Sequence, residues 1–357
     1  MPGVCRQTLL AGCVLLVLGV SFSACTPKSD SAVNQTRETN AVAQETPAGT
    51  ETPEPAGSAV YTIFTYNVNG FDRGWNQAGA RPKEHARIAN IMKTNMVDIV
   101  NLTEVLQGED AHGKKAQDVT DFNAALNNAG YPMRYSGSSG VSDGWNNIAY
   151  FSRYPVSQAR EIGRSGFSPN WGGTRTVYRY KVTFPGNKQV WFYGCHLKSG
   201  QDSVRKRADE AAGLGKYIRQ NHNVETEFIV VYGDMNTMNA LDWPDTMGAC
   251  NDNTPESGFD ASKRPKGSPT GSAVALLEHR NQNDPSKYFT SLTRLYIYPE
   301  TTMPGWPKSC PLDHIVLSPA LYKNHYAAGS AKRVGQGTQG ANGNPTDHYG
   351  VIAQLKF

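Results

Sequence analysis

Residues 226–236 read TEFIVVYGDMN, an apolar run that ends in Gly233, Asp234 and Asn236. Its β-branched and aromatic residues are typical of a buried strand, and Gly with Asp and Asn is typical of the turn that ends one. An acid and an amide at this point lie at the edge of a sheet, where sheet proteins build their sites. The stretch therefore predicts a β-rich domain with a functional site at one sheet edge.

The pattern of an apolar strand bounded by polar side chains recurs along the chain. It is found in TYNVNG at 65–70, NLTEV at 101–105, GCHLKSG at 194–200, CPLDHIVLS at 310–318 and PTDHYGV at 345–351. The polar residues are Asn67, Glu104, His196, Asp313, Asp347 and His348. Carboxylates, amides and imidazoles bind metals and move protons, so we expect these residues to converge with Asp234 in one site.

The segments between these strands predict helices and further strands. Amphipathic stretches at 82–94, 118–129 and 203–222 have apolar residues at helical spacing. Alternating or apolar runs such as NIAYFS, TVYRYKVTF and QVWFYGCHL predict strands, whereas residues 251–309 are rich in loop-forming residues. We found no internal sequence repeat, and the fold class predicted is α/β (α+β).

The ordered set of strand ends resembles the deoxyribonuclease I-like (endonuclease/exonuclease/phosphatase) superfamily over roughly residues 61–357. GDMN and TDHYGV are its most specific segments, whereas TYNVNG and NLTEV are looser matches. Thr103 stands where the family often has Gln before its metal-binding Glu. The resemblance implies a two-layer β-sandwich of mostly antiparallel sheets flanked by helices, and a hydrolase that acts on phosphoric ester bonds.

The resemblance also implies a role for each matched residue. Mg²⁺, or alternatively Mn²⁺, is expected to be bound by oxygen atoms of Asn67, Glu104 and Asp347. The expected catalytic residues are His196, Asp234, Asn236, Asp313 and His348. Asp234 would orient or deprotonate the attacking water with Asn236 fixing its geometry, and both histidines would contact phosphoryl oxygens. Asp313 would accept a hydrogen bond from an imidazole, which we expect to be His348.

Three further positions are candidates for contacts around this site. Arg175, in GGTRTVYRYKV, matches a family position that reaches the phosphate, and an exposed strand arginine is the alternative interpretation. Lys198 lies two residues beyond His196 and is equally consistent with a solvated lysine. Asn146 or Asn147 is a candidate to support His196 from a neighbouring strand.

The N-terminal residues predict an exported protein. Residues 1–25 contain an early Arg6 and an apolar run that stops at Ser21, which is typical of a signal peptide and too short to span a membrane. Phe22-Ser23-Ala24-Cys25 resembles a bacterial lipobox, which predicts a lipid anchor on Cys25 and a periplasmic or cell-surface lipoprotein. Cleavage after Ser23 or Ala24, giving a secreted protein, is the alternative. Residues 26–58, rich in Thr, Pro, Glu and Ala, predict a disordered tether before a catalytic domain at 59–357.

Export allows a disulfide bond among the cysteines of the domain. Cys195 lies in the strand-like run VWFYGCH, where a buried thiol is expected, which leaves Cys250 and Cys310 as the pair. In deoxyribonuclease I, cysteines in comparable settings are bridged, although Cys250 lies farther from GDMN than its counterpart does.

Charge and missing signatures narrow the function. Residues 59–357 hold 32 Lys and Arg against 26 Asp and Glu, a balance that favours an anionic substrate. The Trp-Cys-Asp-Arg run and GDxNxR typical of inositol-polyphosphate phosphatases are missing. We therefore predict a nuclease that hydrolyses DNA or RNA. A sphingomyelinase or phospholipase C-like phosphodiesterase acting on phospholipid is the first alternative, and a non-catalytic surface binding module is the second.

Overall fold

A computed structural model describes most of the domain predicted at 59–357. The described residues are 59–72, 80–109, 115–139, 147–162, 175, 177–199, 204–236, 289–293, 297, 312–335 and 348–357. The predicted signal peptide and tether, Asn146, Asp347 and the Cys250–Cys310 pair lie outside them.

The described residues form fourteen strands. They are β1 Val60–Asn67, β2 Val97–Val105, β3 Gln107–Glu109, β4 Lys115–Gln117, β5 Tyr135–Ser138, β6 Asn147–Ser152, β7 Val156–Ile162, β8 Val177–Phe184, β9 Lys188–His196, β10 Ile229–Asp234, β11 Thr290–Ser291, β12 Asp313–Leu317, β13 Lys332–Val334 and β14 Gly350–Lys356. One six-stranded sheet has the order β13-β14-β1-β2-β6-β5, and the other has the order β11-β12-β10-β9-β8-β7. Strands β3 and β4 form a separate hairpin.

Three helices cover the outer faces of the sheets, and the fourth packs Leu321 into the core between them. They are α1 Ala80–Thr94, α2 Asp118–Asn128, α3 Val204–Asn221 and α4 Pro319–His325, with single turns at Asn69–Asp72 and Pro185–Asn187. Helices α1 and α2 bury Met92 and Phe122 against the first sheet, and α3 buries Leu214 against the second. Within the described residues, no helix has both the length and the apolar content needed to cross a membrane.

The layer between the sheets is rich in buried aromatic rings. Tyr180 stacks on Phe192 with ring centroids 5.4 Å apart, and its hydroxyl is hydrogen-bonded to that of Tyr232. Because this layer covers one face of each sheet and helices cover the other, β1 is buried from Tyr61 to Asn67. This two-layer sandwich flanked by helices confirms the predicted fold class.

Each six-stranded sheet contains one parallel pair among antiparallel neighbours. Strands β1 and β2 run parallel, as do β9 and β10, and each pair is connected through a helix, α1 or α3. Strands β12 and β14 run antiparallel to β10 and β1. The starts of β12 and β14 therefore lie at the same sheet edges as the ends of the parallel strands, which brings many chain segments together there.

Candidate active site

The polar strand ends predicted from the sequence converge because of this topology. Asn67 ends β1, His196 ends β9 and Asp234 ends β10. Asp234 is in register with His196 on one side and with Asp313, at the start of β12, on the other. The second sheet thus presents an imidazole and two carboxylates from three adjacent strands at one edge.

Asn67 lies at the centre of the cluster and connects the two sheets. Its amide nitrogen Nδ2 donates to Asp234 Oδ2 at 2.9 Å and to Glu104 Oε1 at 3.2 Å. The same nitrogen lies 3.5 Å from Nε2 of His348. One side chain from the first sheet therefore contacts two acids and a histidine.

The orientation of the Asn67 amide is fixed from its other end. Oδ1 accepts the backbone N–H of Asn69 at 2.9 Å, in a turn where Asn69, Gly70 and Phe71 all have positive φ. The oxygen expected to bind a metal is therefore bonded to the backbone, and the nitrogen faces the acids. An amide oxygen has two lone pairs, so Oδ1 can keep the Asn69 hydrogen bond and still bind a cation.

His196 is buried between the two acids. Its Nε2 lies 3.4 Å from Asp234 Oδ2 and 3.8 Å from Glu104 Oε1. Burial disfavours the charged imidazolium and the Arg175 guanidinium repels it, so the pKa of His196 lies below its ordinary value in spite of the acids. Burial and Arg175 thus oppose protonation of this imidazole, whereas the two acids favour it.

Arg175 and Asn236 support the segment that follows His196. Arg175 Nη1 donates to the carbonyl of Leu197 at 2.8 Å, and Asn236 Nδ2 donates to the same oxygen at 3.0 Å. Arg175 Nη2 also donates to Ser199 Oγ at 3.3 Å. Both side chains are buried beside the site, and their common target holds the end of β9 against the end of β10.

Asp313 is hydrogen-bonded to His348. Nδ1 of the imidazole lies 2.6 Å from Asp313 Oδ2, and both residues are buried. A carboxylate at Nδ1 fixes the proton on that nitrogen, so Nε2 points toward Asn67 and toward Asp234 Oδ2 at 3.8 Å.

Asp234 is held in its charged form. Burial by itself would raise the pKa of this carboxyl, but hydrogen bonding to His196, the charges of the two neighbouring histidines and the Asn67 bond together hold the pKa well below its usual range. Oδ1 additionally accepts the backbone N–H of Asn236 at 2.8 Å. A carboxylate this stable is better suited to orienting a water molecule than to removing its proton.

Side-chain oxygens also hold the backbone just beyond Glu104 and His196. Asp118 Oδ2 accepts the N–H of Leu106, and Glu210 Oε2 accepts the N–H of Lys198, both at 2.8 Å. The first bond is next to a bulge in β2, where Glu104 has a φ of +59°. Each acid is almost completely buried and lies twelve residues beyond the amide that it holds. The sequence analysis missed both acids. Their residue type and spacing gave no local sign that they would be buried.

The remaining sequence candidates have these locations. Asn147 Nδ2 donates to the Ser139 carbonyl at 2.8 Å and to the Gln107 carbonyl at 3.3 Å, which connects the start of β6 to the segments after β5 and at the start of β3. Lys198 is half-buried beside the site. Asp347 lies outside the described residues, next to His348 in the chain.

The arrangement of the acids fits a divalent cation. Ligand atoms of Glu104, His196 and Asp234 lie within 4.8 Å of one another, and Asp234, Asp313 and His348 form a second such group. Two carboxylates that converge on one buried point repel each other unless positive charge lies between them. Oxygen ligands of this kind are those that hard divalent cations prefer.

Comparison with known proteins agrees with the fold. The chain belongs to the Endonuclease/Exonuclease/phosphatase family, whose profile matches residues 64–348. Members of this family are divalent-metal-dependent hydrolases that act on phosphoester bonds. No curated protein sequence matches the chain.

Solved structures have the same fold at low sequence identity. A humanized D. rerio TDP2 is 13% identical, with a TM-score of 0.53 over 83% of this chain and 98% of that one. An endonuclease/exonuclease/phosphatase family protein from Bacteroides thetaiotaomicron is 14% identical, with a TM-score of 0.52 over 84% and 99%. An AP endonuclease from Archaeoglobus fulgidus is 16% identical, with a TM-score of 0.50 over 82% and 98%.

Proposed function

We propose that this protein is a Mg²⁺-dependent nuclease that hydrolyses DNA or RNA phosphodiester bonds. The observation that carries the proposal is the buried group of Asn67, Glu104, His196, Asp234 and His348, with Asp313 behind it, assembled from the edges of both sheets. This group combines acids that can bind a cation, a charged carboxylate that can orient a water molecule, and two imidazoles.

Asn67, Glu104 and Asp347 would hold the cation, with Asp234 close enough to share it. Mg²⁺ suits these oxygen ligands and Mn²⁺ is the alternative; when bound, it supplies positive charge to a phosphate oxygen and to the leaving oxygen. Asn67 keeps the two acids together by donating to both.

Asp234 would position the attacking water. Its Oδ1 is bonded to the Asn236 backbone and its Oδ2 faces the cluster, so one carboxylate edge is fixed and the other is directed at the substrate. When the nucleophile is held in line with the phosphorus atom, much of the entropy cost of the reaction has already been met on binding. Asn236 would keep this geometry by tying the ends of β9 and β10 together.

The two histidines would contact the phosphoryl oxygens in different ways. His348, with Nδ1 bonded to Asp313, can carry a positive charge and donate from Nε2 to an oxygen whose negative charge grows as the new P–O bond forms. His196, beside Asp234 and Glu104, would offer a hydrogen bond to a second phosphoryl oxygen. Arg175 would add positive charge on the His196 side of the phosphate.

Charge and fold favour nucleic acid as the substrate. The domain has an excess of Lys and Arg over Asp and Glu, which favours a polyanion. The family name includes endonucleases and exonucleases, and one similar structure is that of an AP endonuclease. Phospholipid headgroups, the substrate of the sphingomyelinase-like alternative, share the phosphodiester but not the extended charge.

We further propose that the protein is exported and anchored by lipid. The signal peptide at 1–25, with lipidation of Cys25, and the tether at 26–58 would hold the catalytic domain away from a bacterial membrane. The oxidising compartment would permit the Cys250–Cys310 disulfide. Mass spectrometry of the protein from membranes should find a diacyl- or triacylated Cys25 as the first residue, whereas a free N-terminus after Ser23 or Ala24 would indicate secretion.

A paired assay tests the nuclease proposal. Residues 59–357 are incubated with plasmid DNA, RNA or sphingomyelin vesicles and Mg²⁺, with Asp234→Asn as the control. We expect nucleic-acid cleavage that needs the metal, decreases as salt increases and is abolished in the control. Headgroup release from vesicles without cleavage of DNA or RNA would overturn the nuclease proposal in favour of the lipid alternative. No hydrolysis of any phosphodiester would favour a binding module.

A further inference from the structure

A second concentration of positive charge lies on the face of the second sheet that points away from the sandwich interior. Arg179 and Lys181 occupy alternate positions of β8, and Arg160 lies directly across from Arg179 on β7. We call these three residues the β7–β8 basic patch. On this face of β7 and β8 the charged side chains are all basic, so the strands themselves place no acid beside them.

Aromatic side chains hold these cations. The Arg179 guanidinium lies 4.6 Å from the Trp191 ring centroid, and Lys181 Nζ lies 4.4 Å from it. The Tyr217 hydroxyl accepts from Arg160 at 3.0 Å and from Arg179 at 3.4 Å. A ring or a phenol fixes the position of a cation without neutralising its charge, so the patch keeps its attraction for anions.

The position of Arg179 lowers the stability of the fold when no anion is bound. Its side chain is 7% exposed, and within the described residues its buried Nε has no hydrogen-bond partner. A buried cation without a carboxylate destabilises a fold, and two arginines directly across from each other repel. Glu227, an acid beside Trp191, is hydrogen-bonded to His222 instead. An anion bound from solution would offset both costs.

The patch is close enough to the candidate active site to share one polymer with it. Arg179 is paired with Tyr193, three residues before His196 in β9, a separation of about 10 Å along the strand. Lys181 is paired with Trp191, about 7 Å farther from the site. A nucleic-acid strand cut at the site extends over such distances, whereas a single phospholipid headgroup does not.

We propose that the β7–β8 basic patch binds backbone phosphates of the nucleic-acid strand on one side of the bond that is cleaved. The proposal rests on the nuclease function above and adds an extended docking surface to it. Because Trp191 is already packed against two cations, the patch contacts phosphates rather than bases, and binding there is independent of sequence. Long strands should therefore bind more tightly than short ones.

Binding without catalysis tests the patch. Arg160→Gln/Lys181→Gln removes two charges from it, and Lys323→Gln/Lys332→Gln removes two exposed charges elsewhere as a matched control. Fluorescence anisotropy in EDTA, where metal-dependent cleavage cannot occur, measures binding of a 30-nucleotide single strand and of a dinucleotide, which is too short to reach from the site to the patch. Thermal melting verifies that each variant folds, and Arg160→Gln alone replaces the double variant if that variant melts early.

We expect the patch variant to bind the 30-nucleotide strand on the order of 10-fold more weakly at 50 mM salt, with a salt slope reduced by about 1.4. Its affinity for the dinucleotide, and its hydrolysis of bis(p-nitrophenyl) phosphate with Mg²⁺, should match the wild type. Three results would overturn the proposal: equal weakening of binding by the control variant, an equal loss of affinity for both strand lengths, or unchanged strand binding. Phosphatidylglycerol vesicles serve as a second anionic ligand, and a loss of affinity for vesicles alone would also overturn it. Failure of the nuclease function would appear separately, as no Mg²⁺-dependent cleavage by the unmodified protein.

Discussion

At the scale of single residues, the site depends on which atom of each side chain faces the centre. Asn67 turns its nitrogen toward Glu104 and Asp234 because the Asn69 backbone occupies its oxygen. Asp234 Oδ2 and His196 Nε2 lie 3.4 Å apart; burial lowers the pKa of His196, while the histidines and the Asn67 bond lower the pKa of Asp234. The residue type of an acid such as Glu104 or Asp234 does not show whether it binds the cation or orients the attacking water.

Substitutions of three acids separate these roles. Glu104→Gln and Asp347→Asn should lower activity by weakening cation binding, and excess Mg²⁺ should restore part of it. Asp234→Asn should stay inactive at any metal concentration because the water loses its partner, a loss of about 100-fold or more. Rates measured against Mg²⁺ concentration, with Mn²⁺ binding followed by EPR, test the division. Equal rescue of all three variants would show that Asp234 acts mainly as a ligand.

At the scale of elements, the close pairing of β9 with β10 explains the glycine that precedes Asp234. Gly233 has a φ of +145°, and a Cβ built there would lie 1.8 Å from the Cys195 carbonyl oxygen. Both strands are central and buried, so neither can move away cheaply. The glycine lets the two strand ends approach, which places Asp234 beside His196.

Gly233→Ala should therefore lower the free energy of unfolding by about 3 kcal/mol or more, since backbone strain and a backbone clash combine. Gly186→Ala is the matched control, because Gly186 has a φ of +72° but nothing within 4 Å of the added Cβ. We expect the control to cost about 1–2 kcal/mol. Urea unfolding of residues 59–357 measures both, and similar losses would argue against a clash at Gly233.

At the scale of the whole molecule, two sheets supply one site, so anything that loosens either sheet affects activity. Asn67 and Glu104 come from the first sheet, and His196, Asp234 and Asp313 from the second. Among the cysteines, Cys195 is a free, fully buried thiol, and its burial raises its pKa well above the ordinary value. That agrees with its expected place in the core.

The predicted Cys250–Cys310 disulfide would close a loop of about 60 residues next to the strand that carries Asp313, and should stabilise the domain by a few kcal/mol. Thiol titration of unreduced, denatured residues 59–357 should then detect Cys195 alone, and reduction should expose all three cysteines. Cys250→Ser/Cys310→Ser should unfold at lower denaturant. Detection of three thiols before reduction would exclude the bond.

The sequence by itself determined most of the longer strands, their polar ends and most of the residues that meet at the site, but not the short strands or the edge strand β7. Strand and helix patterns are local, and the end of a buried strand is marked by its own residues, as in VVYGDMN. The residues that the sequence named around Asp234 are those that the sheet register brings beside it. The resemblance to the family added their order, which single positions could not supply.

Only the tertiary structure decided how those residues are held. Asp118 and Glu210 bond to backbone amides twelve residues away, and no local pattern indicates that an acid in a helical stretch will be buried against a turn. The orientation of the Asn67 amide depends on the backbone groups that the fold places beside it. The β7–β8 basic patch depends on which face of the second sheet points away from the interior. Hydrogen bonds and burial are properties of packed neighbours, and neighbours distant in sequence are set by the fold.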